Sequence, residues 1–150
     1  MNAGDICKRD VVVAYKDEAL PDAARRMRER HVGTLIVVVD RASERVPVGI
    51  LTDRDIAVAV VAKELDPRAL KVGEVMTRGV VAVREADGPA EVLRAMREHG
   101  VRRVPVVTHS GALAGIVSMD DLLEQASDQL VDLVRAFARE RSHEARARGN

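Results

Sequence analysis

Short runs of apolar, mostly β-branched residues alternate along the chain with stretches in which apolar residues recur every three or four positions. The runs predict buried strands, and the stretches predict amphipathic helices. Strands are predicted at residues 11–14, 34–39, 49–51, 80–83, 103–107 and 115–117. Helices are predicted at residues 20–31, 53–65, 89–100 and 119–126, with one more from residue 127 onward. This alternation is typical of mixed α/β proteins.

The whole pattern occurs twice. Residues 4–12 align with residues 73–81 at an offset of 69 positions (73 minus 4). From Gly49, which aligns with Gly115, the offset is 66 (115 minus 49), because the segment between the second and third strands is longer in the first half. We expect this length change to lie in a turn, where insertions are tolerated. Each half then has the order strand, helix, strand, strand, helix.

The repeat divides the chain into two subdomains, residues 1–66 and 67–126, followed by residues 127–150 as a C-terminal helix and frayed tail. The predicted C-terminal helix carries large apolar residues on one side, namely Leu130, Leu133, Val134 and Phe137. Because this helix lies outside the repeat, it belongs to neither predicted core. We therefore expect it to pack across the pair of subdomains or against a second chain.

Composition excludes several classes of function. Hydrophobic residues make up 47% of the 150 positions, and aromatic residues only 1%, so the core must be aliphatic. Lysine and arginine total 24, as do aspartate and glutamate, and this zero net charge argues against dedicated nucleic-acid binding. No apolar run approaches the roughly 20 residues of a membrane span. The first residues do not look like a signal peptide, which predicts a cytoplasmic protein with no membrane partner.

Cys7 is the only cysteine, so neither an intrachain disulfide nor a cysteine metal cluster can form. Met76 occupies the aligned position in the second half, which favours a packed apolar role for Cys7. The four histidines are scattered without the spacing of metal ligands. We therefore predict no metal site.

A hydroxyl and a carboxylate recur at two matched strand-to-helix corners. Thr52 is followed three residues later by Asp55, and Ser118 is followed by Asp121 in the same way. This spacing is typical of a helix capping box, in which the hydroxyl and the acid satisfy backbone N–H groups. The same geometry can bind a nucleotide, because a helix N-terminus attracts phosphate and a nearby acid can accept hydrogen bonds from a ribose diol. The sequence leaves both interpretations open.

Three further residues are candidates for the same sites. Arg54 lies inside the first corner, where a phosphate could meet it, whereas we place Met119 at that point of the second corner. The two sites are therefore expected to differ in their charge preference. Arg102 and Arg103 stand before the second strand of the second half, where Gly33 and Thr34 stand in the first. One of the two, with Arg103 the candidate, could reach a phosphate, and a role as surface arginines stays open.

The two halves resemble CBS domains, the regulatory modules named after cystathionine β-synthase. The resemblance covers residues 4–126 and rests on the two corners, on Val75-Met76-Thr77, and on the run 102–107 before the second corner. The chain resembles in particular the small stand-alone bacterial CBS-pair proteins, including the hypoxic-response type.

This resemblance implies two β-α-β-β-α subdomains packed with pseudo-twofold symmetry, two clefts between them, and a disc-like homodimer. It also implies an adenosyl ligand such as AMP, ADP, ATP, NAD or S-adenosylmethionine, with Thr52 and Ser118 at its phosphate and Asp55 and Asp121 at its ribose. No cofactor is expected as a catalyst. Because the chain carries no enzyme or channel domain to regulate, its effector would be a separate protein reached in trans.

Two alternative functions and one alternative fold stand beside a ligand-sensing CBS pair. In the first, the corners are only helix caps and the chain is a ligand-free structural or dimerisation module. In the second, the chain is an enzyme, which we do not expect because neither Thr52 nor Ser118 has a histidine at a repeat-matched position to act as its base. In the third, the fold is a ferredoxin-like tandem, which needs a strand after the last helix of each half.

Overall fold

Each copy of the repeat builds one small β-sheet flanked by helices. The computed structural model describes residues 1–147, with side chains through residue 140. The strands are β1 Val13–Tyr15, β2 Thr34–Arg41, β3 Glu44–Thr52, β4 Thr77–Arg78, β5 Val83–Arg84, β6 Arg103–Val107 and β7 Leu113–Ser118. The helices are α1 Ala3–Ile6, α2 Leu20–Arg30, α3 Asp53–Ile56, α4 Val72–Val75, α5 Pro89–His99 and α6 Met119–Ala147.

The two sheets share one topology. The first has the order β1-β2-β3-β4 and the second β5-β6-β7. In each sheet the first two strands are parallel, because a helix crosses over between them, and the next pair is an antiparallel hairpin. The mixed α/β class predicted from the sequence is confirmed. The two sheets contact each other through β3 and β7.

The two crossover helices form where the apolar period predicts them. Leu20, Ala23 and Met27 are the buried residues of α2, and Val92 and Met96 are those of α5. Each helix has a proline in its first turn, where no backbone N–H bond is lost. Both end at a left-handed residue, which is His31 in α2 (φ 52°) and Gly100 in α5 (φ 63°).

The segments that precede the two halves are exchanged between them. α1 packs in the core of the second half, with Ala3 fully buried there, and α4 packs in the core of the first half through Val72. The backbone N–H of Gly4 donates to the carbonyl of Glu85 at 2.9 Å, and that of Gly73 donates to Lys16 at 2.8 Å. The division at residue 66 therefore describes the repeat along the chain, while each core takes one segment from across that division.

The exchange explains why a glycine opens each corner motif. A Cβ on Gly115 would lie 2.5 Å from Sγ of Cys7 and 2.9 Å from the carbonyl oxygen of Lys8. A Cβ on Gly49 would lie 2.7 Å from Sδ of Met76. Real side chains do not approach this closely, so only glycine fits beneath the exchanged segment. The aligned Cys7 and Met76 cross equivalent strands, and Cys7 packs partly buried against the second core.

The extra residues of the first half lie in a longer hairpin. β2 and β3 continue their pairing as far as Arg41 opposite Glu44, around a two-residue turn at Ala42 and Ser43. The expectation that the length change is confined to a turn is therefore wrong. Inserted residues extended both strands because each added pair continues the hydrogen-bonded ladder.

The helices after the two corners differ in length and regularity. α3 ends at Ile56 and continues as a π-helical turn over Ala57–Val61. The second corner instead begins a single helix, α6, which runs to Ala147. The predicted break between residues 126 and 127 is absent because no proline or glycine interrupts this segment. Of the tail predicted to fray, residues 148–150 lie outside the described residues.

Candidate functional site

Both corners form complete capping boxes. Thr52 Oγ1 accepts from the Asp55 N–H at 3.1 Å, and Asp55 Oδ2 accepts from the Thr52 N–H at 2.9 Å. At the second corner, Asp121 Oδ2 accepts from the Ser118 N–H at 2.7 Å, and Ser118 Oγ accepts from the Asp121 N–H at 3.2 Å. The capping interpretation of the motif is therefore confirmed at both corners, and the question of a ligand depends on what surrounds each one.

The second corner opens onto a cleft of about 280 Å³ between the two halves. Its volume is close to the lower end of small-molecule sites, roughly 300 Å³. Ser118 and Asp121 form its second-half side, and Thr34 lies on the side contributed by the first half. The apolar part of the lining consists of Val11, Val12, Val32 and Ile116. The remaining lining residues are Lys8, Asp10, His31, Gly33, Arg103 and Asp120.

Lys8 forms an ion pair with the acid of the second corner. Its Nζ lies 2.8 Å from Asp121 Oδ1, and the Lys8 side chain is 70% exposed whereas that of Asp121 is only 10% exposed. Ser118 Oγ also donates to Asp121 Oδ2, at 2.5 Å. Partial burial alone would raise the pKa of Asp121, but the hydrogen bonds from Lys8 and Ser118 together hold that pKa below its ordinary value. The same bond raises the pKa of Lys8.

Other charges at the rim of this cleft are partly paired. Asp10 forms an ion pair with Arg30 at 2.8 Å, and Asp120 forms one with Arg102 at 3.8 Å. Arg103 lines the cleft, whereas its neighbour Arg102 does not line it and pairs with the lining residue Asp120. The cleft therefore combines an apolar wall, the capping acid Asp121, two further acids that are paired with arginines, and nitrogen donors from lysine, arginine and histidine. This combination suits a ligand with a flat apolar part, a diol and an anionic group.

The counterpart of this cleft at the first half is much smaller. A depression of about 60 Å³ is lined by Ile50, Thr77, Gly79, Val80, Val81, Val101 and Arg103. Among the described residues, this lining does not include Thr52, Arg54 or Asp55. Arg103 lines both the large cleft and the small depression. In the depression it occupies the position that the smaller, aligned Thr34 occupies in the large cleft. The structure therefore gathers Thr34, Arg103, Ser118 and Asp121 in one cleft and leaves the first-corner residues outside it.

The two corners also differ in charge. Counted from the capping hydroxyl, the residue equivalent to Arg54 is Asp120, while Met119 is equivalent to Asp53. The sequence comparison of Arg54 with Met119 was therefore off by one position. The corrected pair reverses a charge, and this strengthens the expectation that the two sites are not equivalent.

The sequence analysis missed Lys8 and His31 as lining residues of the cleft. Lys8 reaches Asp121 only because the segment that carries it is exchanged into the other half, where Lys8 pairs with Ile116. His31 lies at the left-handed end of α2, at the position that glycine occupies in α5. A non-glycine residue in that conformation is uncommon. The alignment of His31 with Gly100 was therefore the one local signal in the sequence that pointed to this position.

Two negative findings concern the described residues alone. Within them, no group of three or more histidine, cysteine, aspartate or glutamate side chains is placed to hold a metal ion. Among the helices of the same part of the chain, none is both long enough and apolar enough to cross a bilayer.

Comparison with known proteins identifies the repeat. A profile described as the CBS domain matches residues 3–62 and 72–128. The chain is 36% identical over 136 residues to hypoxic response protein 1 of Mycobacterium tuberculosis, covering 90% of this chain and 92% of that protein. It is 32% identical over 124 residues to MK0525 of Methanopyrus kandleri, where the match covers 83% of this chain but only 62% of that protein's length.

Solved structures agree with these relatives. Hypoxic Response Protein I, solved with two coordinated zinc ions, superposes with a TM-score of 0.72 at 35% identity, covering 83% of this chain and 98% of that one. The CBS domain pair of protein MJ0100, solved with 5′-methylthioadenosine and S-adenosyl-L-methionine, superposes with a TM-score of 0.73 at 25% identity. That match covers 86% of this chain and 98% of the other.

Proposed function

The chain belongs to the CBS-domain family, and from that premise we propose that it is a regulatory module that binds an adenosyl ligand in the cleft at the second corner. The candidate ligands are AMP, ADP, ATP, NAD and S-adenosylmethionine. The observation that carries the proposal is the cleft itself, which brings Ser118 and Asp121 together with Lys8 and Arg103 beside an apolar wall. A related CBS pair was solved with adenosyl ligands, which supports this class of ligand.

The proposed binding mode assigns each lining group a task. The purine lies against the valines and Ile116, where burying its flat apolar surface is favourable. The ribose diol donates to Asp121 and takes the place of Lys8 at Oδ1. The released ammonium of Lys8 then meets the anionic group of the ligand, which is a phosphate in the nucleotides and a carboxylate in S-adenosylmethionine. Arg103 and the positive end of the α6 dipole support the same group. Opposite charge on both sides of the ligand thus replaces the Lys8–Asp121 ion pair.

The proposed output is a change in how the halves or a homodimer pack, read by an effector protein in trans. The chain would act in the cytoplasm, where adenine nucleotides are abundant, and it would regulate rather than catalyse. In support of this, Asp121, which accepts from Ser118 Oγ, has its pKa held below the ordinary value and is therefore a weak general base for activating that hydroxyl. At the first corner, binding by Thr52, Arg54 and Asp55 stays a prediction of the sequence.

The two corner acids provide a matched test. Asp121→Asn and Asp55→Asn each weaken one capping box, so both are expected to lower the free energy of unfolding by about 1 kcal/mol. Isothermal titration calorimetry is run with each candidate ligand in turn, and the ligand that binds should occupy one site per chain. Asp121→Asn should weaken binding at least tenfold, and Asp55→Asn should leave it within about twofold, since a lost charged hydrogen bond is worth roughly 1.5–3 kcal/mol.

The ligand-free alternative predicts a different outcome. If the corners are only caps, both variants lose similar stability and none of the five ligands releases heat or raises the melting temperature at millimolar concentration. Equal weakening by both variants would contradict the assignment of the site to the second corner while leaving ligand binding intact.

A further inference from the structure

The C-terminal helix carries an apolar face that no other part of the described chain covers. Leu122 still packs in the second core, but the following residues of α6 extend beyond it. Leu123 is 62% exposed, Leu130 64%, and Phe137 64%. Packing across the pair of subdomains, one of the two expectations for this helix, is therefore not what the structure shows.

This face has the spacing of a helix-pairing seam. Leu123, Ala126, Leu130, Leu133 and Phe137 follow one another at alternating intervals of three and four residues. The positions that flank this seam are uncharged, namely Ser127, Gln129, Val134 and Ala136. Repeats of this kind bury their apolar residues between two helices. The charged residues of the same segment lie around the back of the helix, where solvent would stay in contact with them.

Charge is segregated along the same helix. Residues 119–134 carry five acidic side chains and no basic one, namely Asp120, Asp121, Glu124, Asp128 and Asp132. The remaining residues of α6, 135–147, have four arginines in the sequence, Arg135, Arg139, Arg141 and Arg146, against two glutamates. Two parallel copies would place like charges at the same height, whereas two antiparallel copies would place acidic beside basic segments. Charge complementarity thus favours an antiparallel second copy of this helix as the partner.

We propose that the seam Leu123–Phe137 packs antiparallel against the same seam of a second copy of the chain. One antiparallel register places Leu130 of one copy opposite Leu133 of the other and the large Phe137 opposite the small Ala126, with Leu123 opposite Glu140 at the end of the pairing. The seam side chains from Ala126 to Phe137 then meet partners of complementary size, which is how close packing is achieved. The inference rests on the proposed self-association and assigns it to a specific surface.

Two neighbouring substitutions test the surface. Leu130→Asp places a charge in the seam, and Val131→Asp makes a comparable change one residue away, on the back of the helix. Sedimentation velocity of the full chain should show that Leu130→Asp weakens self-association at least tenfold, because burying an unpaired charge is costly. Val131→Asp should change it by no more than about twofold, with equal helix content by circular dichroism.

The orientation is tested by disulfide formation in a Cys7→Ala background. Ala126→Cys and Phe137→Cys chains should form a mixed disulfide with each other, because these positions are opposite in the antiparallel register, and neither should crosslink efficiently alone. Self-crosslinking of Ala126→Cys would overturn the orientation. If Leu130→Asp leaves the dimer unchanged, the assignment of the interface to the seam is wrong, whereas the proposals of self-association and of ligand binding are unaffected. A monomer that co-sediments with phosphatidylglycerol vesicles would assign the seam to lipid and overturn the proposal.

Discussion

At the residue scale, the two corners show how one local motif can have two different surroundings. Thr52 and Ser118 make equivalent capping bonds, so their immediate geometry is the same. The acids differ because Lys8 bonds to Asp121, while the residue aligned with Lys8 is Thr77, which cannot form an ion pair with Asp55. Lys8, together with Asp120 in the place of Arg54, therefore gives the second corner its distinct electrostatics.

The Lys8–Asp121 pair should make the free energy of unfolding depend on pH in the acidic range. The pKa of Asp121 is lowered in the folded chain, so the contribution of the pair is complete above the ordinary aspartate pKa of about 3.9 and is lost as pH falls through the folded pKa. Lys8→Met should lower the free energy of unfolding by less than about 1 kcal/mol at pH 7, since exposed pairs contribute little. Urea unfolding between pH 3 and 7 measures this difference.

The expected signature is a difference between Lys8→Met and the wild-type chain that is constant from pH 5 to 7 and shrinks below about pH 4. Lys63→Met, which removes an exposed lysine outside the cleft, provides the control and should show no such trend. A difference that grows toward low pH would contradict the sign of the pKa shift.

At the element scale, the longer hairpin of the first half contains the clearest backbone strain. Ala42 has φ 48° and Ser43 has φ 66°, and both lie in the left-handed region that disfavours ordinary side chains. The shorter hairpin of the second half places Gly111 at φ 88°, where no side chain is strained. The extended turn is thus held by the strands that flank it rather than by its own residues.

Replacing this turn with residues suited to it should stabilise the chain. Ala42→Asn combined with Ser43→Gly is expected to raise the free energy of unfolding by about 1 kcal/mol, because Asn-Gly favours a two-residue hairpin turn. Thermal and urea unfolding measure the gain. Gly111→Ala should instead lower the free energy of unfolding, because it places a side chain at a positive φ. If the Asn-Gly variant is less stable than the native chain, the turn makes contacts that favour its native residues.

At the scale of the whole molecule, the reciprocal exchange of α1 and α4 joins the two halves. Each half completes its core with a segment that precedes the other half in the chain, so neither contiguous half contains its whole core. The exchanged segment also carries Lys8 into the cleft. The cleft proposed to bind a ligand and the packing of the N-terminal segment are therefore physically linked.

The close crossing at Gly115 should be sensitive to one added methyl group. Gly115→Ala is expected to lower the free energy of unfolding by about 2 kcal/mol, because the new Cβ would meet both Sγ of Cys7 and the backbone of Lys8. Gly4→Ala, in the same exchanged segment, would place its Cβ 3.2 Å from the nearest atoms and should cost less than about 1 kcal/mol. Equal losses in chemical denaturation would argue against the crossing as the cause.

The sequence by itself determined the repeat, the α/β class, the two crossover helices and both helix caps. These features depend on local spacing, such as the apolar period of α2 and the three-residue step from Ser118 to Asp121, which acts within one turn of backbone. It could not determine that the halves exchange their first segments, because α1 is as compatible with one core as with the other until both are packed. Only the tertiary structure decided that Lys8 meets Asp121, that Arg103 borders both clefts, and that just one of them is open. The physical reason is that a cap is made by neighbours in the chain, whereas a cleft is made by side chains that only folding brings together.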